Sequence, residues 1–187
     1  MPTTYMGDLS IEAGGLSSFQ NLIFCQQVSL ISPATLQSIS IYIDTDYGAN
    51  MRMGVYNDSA GSPNLIQAQT VEFNPDPATG WYTKAVITPV LLSPATYWLA
   101  LKYPSDSFVF RRQTVSGTTK RYALAYNNGT FPSPAAGPWT SETMTVSWYA
   151  SLTITTPVKD TAVLLDHAGL IGVPSYTGGM LHLKRRV

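Results

Sequence analysis

The chain has 187 residues, enough for one domain with a sizeable core, and its 11 basic and 11 acidic residues cancel. Only 12% of the residues are charged, against roughly 25% in an ordinary soluble protein. A net charge of zero removes the general electrostatic case for nucleic acid or an anionic membrane as a partner, and no apolar run reaches the roughly 18 residues of a membrane-spanning helix.

Cys25 is the single cysteine, so no disulfide can close within the chain, and its apolar setting Leu22-Ile23-Phe24 points to a buried, inert thiol. The start Met1-Pro2-Thr3-Thr4 has neither a basic n-region nor an apolar h-region, so no signal peptide is expected.

Residues 1–18 lack clean periodicity and carry Gly14-Gly15 and Ser17-Ser18, which reads as an N-terminal arm. Phe19 to Leu30 is the first long strand expected. Leu36 to Ile43 follows, with Ile39, Ile41 and Ile43 on one face of a two-residue repeat. After the turn-like Asp44 to Asn50, Met51, Met53 and Val55 alternate with Arg52, Gly54 and Tyr56 in a further strand. Leu65 to Phe73 is a strand of mixed polarity, and Trp81 to Ile87 and Val90 to Leu92 are strand pieces broken by Pro89.

Thr96 to Tyr103 is the most strand-like stretch of all. Tyr97, Leu99, Leu101 and Tyr103 share one face; Thr96, Trp98, Ala100 and Lys102 share the other. Large side chains on both faces place this strand centrally, with Trp98 expected in packing rather than as a platform for sugar. Phe108 to Gln113 and Arg121 to Tyr126 come next. A Pro/Gly-rich loop then leads to a long final strand whose Met144, Val146, Trp148, Ala150, Leu152 and Ile154 share a face.

About nine or ten short strands with frequent turns and no convincing helix mean an all-β chain. The expected fold is an antiparallel β-sandwich, jelly-roll-like, with N- and C-terminal extended arms. Its divisions are an arm at 1–18, the sandwich at 19–156 and a tail at 157–187, apolar and glycine-punctuated.

The middle of the chain carries Gly54-Val55-Tyr56-Asn57-Asp58, Gly61-Ser62-Pro63, Gly80-Trp81 and Thr96-Tyr97-Trp98-Leu99-Ala100. Over roughly residues 30 to 103 this run resembles a bacterial extracellular-type β-sandwich module, departing from it at Ala95, where the family usually has Gly. The resemblance implies a jelly-roll-like sandwich acting as a non-catalytic module of secreted enzymes and surface proteins. It implies no particular ligand, and the N-terminal arm and the tail beyond Pro157 have no counterpart in it.

Catalytic chemistry finds little to use. The only histidines, His167 and His182, lie in the tail, and no Gly-x-Ser-x-Gly elbow, phosphate loop or dinucleotide fingerprint is present. Acids are sparse and sit mainly in turns, so no enzyme is expected. Calcium is the one cofactor with a candidate site: Asp44, Asp46 and Asn50 offer alternate oxygens around Gly48, although Val55 stands where an EF-hand would complete its ligands with Glu.

Candidate glycan-contacting residues are the aromatics Tyr47, Tyr56, Trp81, Tyr82 and Trp139 with Asp58 as a polar neighbour, since sugar faces stack on flat rings. Candidate assembly residues are Leu164, Leu165, Leu170, Ile171, Arg185 and Arg186, an apolar and then basic end that needs a surface to bury against. Low charge, apolar arms and the missing export signal point to a self-assembling structural subunit. The expected setting is a virion, as a capsid-decoration or tail-fibre protein contacting copies of itself, a trimer by expectation, and other virion subunits. The alternative is a carbohydrate-binding module at an extracellular surface.

Overall fold

The computed structural model describes residues 1–16, 21–45, 50–75, 79–104, 109–114, 117–126 and 129–154. Thirteen strands run through them: β1 (Thr3–Gly7), β2 (Gly14–Leu16), β3 (Leu22–Leu30), β4 (Ala34–Thr45), β5 (Arg52–Ser59), β6 (Ser62–Gln69), β7 (Gly80–Leu92), β8 (Ala95–Tyr103), β9 (Val109–Gln113), β10 (Thr119–Ala123), β11 (Thr140–Glu142), β12 (Thr145–Val146) and β13 (Trp148–Ile154). No helix occurs among the described residues.

Two antiparallel sheets pack as a sandwich. The first has β1, β13, β4 and β9 side by side, with β7 on the other edge of β4 and β2 and β12 on β9; the second runs β11-β10-β3-β8-β5-β6. The pairs nest: β5 with β6, β4 with β7, β3 with β8, and β1 with β13, falling alternately in one sheet and the other. Nested pairing wound over two sheets is the topology of a jelly roll, so the expected sandwich is present; the tail expected at 157–187 lies outside the described residues.

The core forms where period-2 patterns of both sheets turn apolar side chains inward. Ile39, Ile41 and Ile43 of β4 and Trp148, Ala150 and Leu152 of β13 meet Phe24, Leu99, Leu101 and Val55 of the second sheet. Phe24 and Phe110 touch across the gap at a 5.5 Å centroid distance. Tight turns set the registers. Ala60 and Gly61 both have positive φ (51° and 74°) between Ser59 and Ser62, the primed two-residue hairpin whose twist matches the strands it joins.

Three expectations need correction. The N-terminal stretch read as an arm contains β1, which pairs with β13 from Thr3↔Thr153 to Gly7↔Tyr149, while Met6 is buried against the core. Five residues are too short to show periodicity, and Gly7 is required where a Cβ would collide with the Trp148 carbonyl.

Pro89 does not break a strand. Register with β4 jumps from Leu36↔Val90 to Ser38↔Ala85, so Val86 to Pro89 bulge opposite Gln37 within one continuous β7. An edge strand tolerates the missing N–H. The long final strand, conversely, is interrupted at Ser147, whose N–H donates to the Arg111 carbonyl while its own carbonyl accepts from Tyr42 N–H.

Candidate functional site

The outer face of the second sheet is aromatic and covered. Ile23, Cys25, Tyr56, Trp98, Ala100 and Tyr122 point away from the core, and Phe131, Ala135 and Trp139 fold back over them. The covering segment, residues 129–139, is tied down by hydrogen bonds. Tyr56 Oη donates to the Pro132 carbonyl at 2.8 Å, Lys102 Nζ to the Thr130 carbonyl at 2.7 Å, and Ala135 N–H to the Asn64 carbonyl at 2.7 Å.

Trp98 has no exposed surface, its Nε1 donates to Asp58 Oδ1 at 2.7 Å, and Lys120 Nζ stands 5.8 Å from its ring centroid. Satisfying the indole N–H lets the whole ring be buried without an orphaned donor. The expectations that β8 is central and that Trp98 packs agree with this arrangement.

Burial leaves an electrostatic mark on both faces of this sheet. It pushes the Tyr56 hydroxyl, the Tyr103 hydroxyl and the Cys25 thiol upward from their usual ranges, because each charged form would be stranded away from water. Desolvation lowers Lys102, and the neighbouring Arg52 charge adds to the effect.

The outer face of the first sheet carries the same residue types, and among the described residues no segment covers it. Tyr42 of β4 and Trp81 of β7 are register partners, their rings 5.6 Å apart at 83°. Trp81 then meets Tyr149 of β13 at 5.0 Å and 58°, and Tyr149 meets Tyr5 of β1 at 5.5 Å and 87°. Trp81 and Tyr149 reach each other across β4, which accounts for Ser40 being buried on a solvent-side face, its hydroxyl bonded to Thr83 at 2.8 Å. The row therefore crosses the four strands β1, β13, β4 and β7. Tyr5 is 48% exposed, and Tyr42, Trp81 and Tyr149 are part-exposed.

Polar groups stand at one end of the row. Asp44, two residues from Tyr42, accepts from Arg111 Nη2 at 2.6 Å and Nε at 3.0 Å, and Arg111 Nη1 donates to the Ala13 carbonyl. Glu12 N–H donates to Ser147 Oγ, and the Glu12 carboxyl is raised by hydrogen bonding to the neighbouring Asp8 carboxylate, then by burial and by the Asp8 charge. Beyond Tyr5, a groove of about 460 Å³ opens between β1 and β3, lined by Met6, Asp8, Gln26, Val28 and Thr145 among others.

The structure separates the glycan candidates. Tyr56, Asp58 and Trp139 belong to the covered face, and Trp139 packs edge-on to Tyr122 at 4.7 Å. Tyr82 leans on the main core. Trp81 alone of the set joins the exposed row. Tyr47 lies outside the described residues. Sequence reasoning missed Tyr5, Tyr42 and Tyr149, though a signal existed: Tyr42 alternates with the inward Ile41 and Ile43, and Tyr149 with Trp148 and Ala150.

Two of the calcium candidates have other partners, and the third is not described. Asp44 is engaged by Arg111, Asn50 Nδ2 donates to Glu72 Oε1 at 2.6 Å, and Asp46 lies outside the described residues. Among the described residues, no group of three His, Cys, Asp or Glu side chains is placed to hold a metal ion. The assembly candidates Leu164, Leu165, Leu170, Ile171, Arg185 and Arg186, and both histidines, also lie outside the described residues.

No protein-family model and no curated protein matches the chain. The likeness to extracellular-type modules therefore stands at the level of the two antiparallel sheets and their sandwich, without a family assignment.

Proposed function

We propose that the protein is a non-catalytic, self-assembling structural subunit, a virion component of the capsid-decoration or tail-fibre kind. The observation that carries this reading is one side of the sandwich. There β6, the edge of the second sheet, and β7, the edge of the first, come together through the Thr70↔Val86 bridge. Along these two edges Leu65, Val71, Ile87 and Leu91 are 43%, 57%, 56% and 60% exposed.

Exposed aliphatic side chains along these edges are a costly surface to leave in water, and natural sheets normally guard their edges with charge. A second copy that buries roughly 800 Å² on this side removes the cost. The low charge of the whole chain lets copies approach without repulsion. The jelly roll is an architecture used by capsid domains, which supports the virion setting by analogy of fold.

Size-exclusion chromatography with light scattering tests the reading. The wild-type chain is expected as a defined oligomer, and Ile87→Asp with Leu91→Asp as a folded monomer. A wild-type chain that stays strictly monomeric at high concentration sinks the assembly reading. Absence of the chain from purified particles sinks the virion setting.

A further inference from the structure

The row formed by Tyr5, Tyr149, Tyr42 and Trp81 lies on a different surface from the β6–β7 side and has its own chemistry. Its rings are held in place by edge-to-face and tilted contacts at 5.0–5.6 Å, so their orientation is settled before any ligand arrives. Between them stand hydroxyls, Thr83 and Ser151, rather than aliphatic side chains. A surface that alternates ring faces with hydroxyls matches a ligand that alternates C–H patches with hydroxyls.

Charge narrows the ligand further. Among the described residues, three carboxylates, Asp8, Glu12 and Asp44, stand near the row against the guanidinium of Arg111. Polyanions meet repulsion there, while Asp44 and Arg111 present acceptors and donors to neutral hydroxyls. An extended peptide would gain little. The row lies on the face of a sheet whose β13 and β4 ladders are already paired on both sides, and strand addition needs an open edge.

We infer that the outer face of the β1–β13–β4–β7 sheet is a binding site for a neutral, hydroxyl-rich glycan, with Trp81 as its central contact, flanked by Tyr42 and Tyr149, and the Asp44–Arg111 pair as its polar end. The site does not depend on self-assembly, because none of its residues lies among the exposed aliphatics of β6 and β7.

The test is isothermal titration calorimetry with neutral hexasaccharides of β-1,4-glucose, α-1,4-glucose, xylose, mannose and N-acetylglucosamine, with hexagalacturonate as the anionic probe. At least one neutral hexasaccharide binds saturably and hexagalacturonate does not. Trp81→Ala weakens binding by up to about tenfold, the worth of one aromatic contact. Tyr5→Ala, at an exposed position, gives a smaller loss and serves if Trp81→Ala does not fold. Ile87→Ser leaves binding unchanged even where it changes oligomeric state. Silence toward every neutral hexasaccharide overturns the inference, as do preference for hexagalacturonate and binding indifferent to both Trp81→Ala and Tyr5→Ala.

Discussion

On the β3–β8–β5 face, Trp98 is hydrogen-bonded to Asp58 and roofed by residues 129–139. On the β13–β4–β7 face, Trp81 leans on its aromatic neighbours Tyr42 and Tyr149 and, among the described residues, stays part-exposed. Both faces alternate aromatic with small or polar residues along their strands. What separates them is whether a distant segment returns to cover the strand. An indole that is covered, bonded and surrounded contributes to stability, and one left facing water is available for contact with something else.

The sharpest way to break this comparison is to remove each indole in turn. Trp98→Ala is expected to cost about 3–5 kcal/mol, since a large cavity opens and Asp58 loses its donor. Trp81→Ala is expected to cost no more than about 1.5 kcal/mol, the scale of aromatic pair contacts. Urea denaturation of both variants reads the difference, and equal losses would erase the distinction between the faces.

Alkaline titration sharpens it next. The folded chain holds the Tyr56 and Tyr103 phenol protons where the unfolded chain releases them from about pH 10. Unfolding then releases protons, and each tyrosine withdraws up to about 1.4 kcal/mol of stability per pH unit above that point. Cys25 acts with the same sign from about pH 8.5. Lys102, lowered by burial, acts oppositely up to about pH 10.4, so the net decline is clearest beyond it. Tyr56→Phe is expected to make the decline measured by thermal melting shallower, at a cost near neutrality of about 1 kcal/mol for the lost bond to Pro132.

Gly54→Ala probes how tightly the cover fits. Its Cβ would stand 3.0 Å from both Ile66 Cδ1 and Phe131 Cε2, so overpacking of about 1–3 kcal/mol is expected by denaturation. The smallest effect belongs to the exposed face. Arg111→Ala is expected to cost about 0.2–1 kcal/mol through the part-exposed pair with Asp44, with the difference from wild type shrinking in high salt.

Strands were legible wherever alternation ran long. The Ile39-Ile41-Ile43 repeat and the Tyr97-to-Tyr103 repeat mark β4 and β8 because burial on one face imposes a period of two. Composition misled where geometry could compensate: Pro89 looks like a breaker, yet a bulge at a sheet edge absorbs it. β1 was hidden for another reason. Its identity as a strand comes from β13, almost the whole described chain away, and nothing within Thr3–Gly7 announces that partner.

The site was less legible than the fold. Tyr56 and Trp81 follow similar Gly-containing strand starts in the sequence, and the return of residues 129–139 covers the first, while Trp81 stays part-exposed among the described residues. The aromatic row draws one ring from each of four strands, so no local window contains it.

The nested pairing also imposes a timetable. The innermost hairpin, β5 with β6, is complete once Gln69 has been made, but Thr3 waits for Thr153. At roughly 5–20 residues per second on the ribosome, that wait is on the order of ten seconds. Throughout it the segment carrying Met6 trails without its berth, and when β13 emerges its free edge offers the same register to the leading strand of any nearby chain as to its own. Thr3–Gly7 is thus secured long after it is made, and crowded translation sets intramolecular closure against strand exchange at this seam.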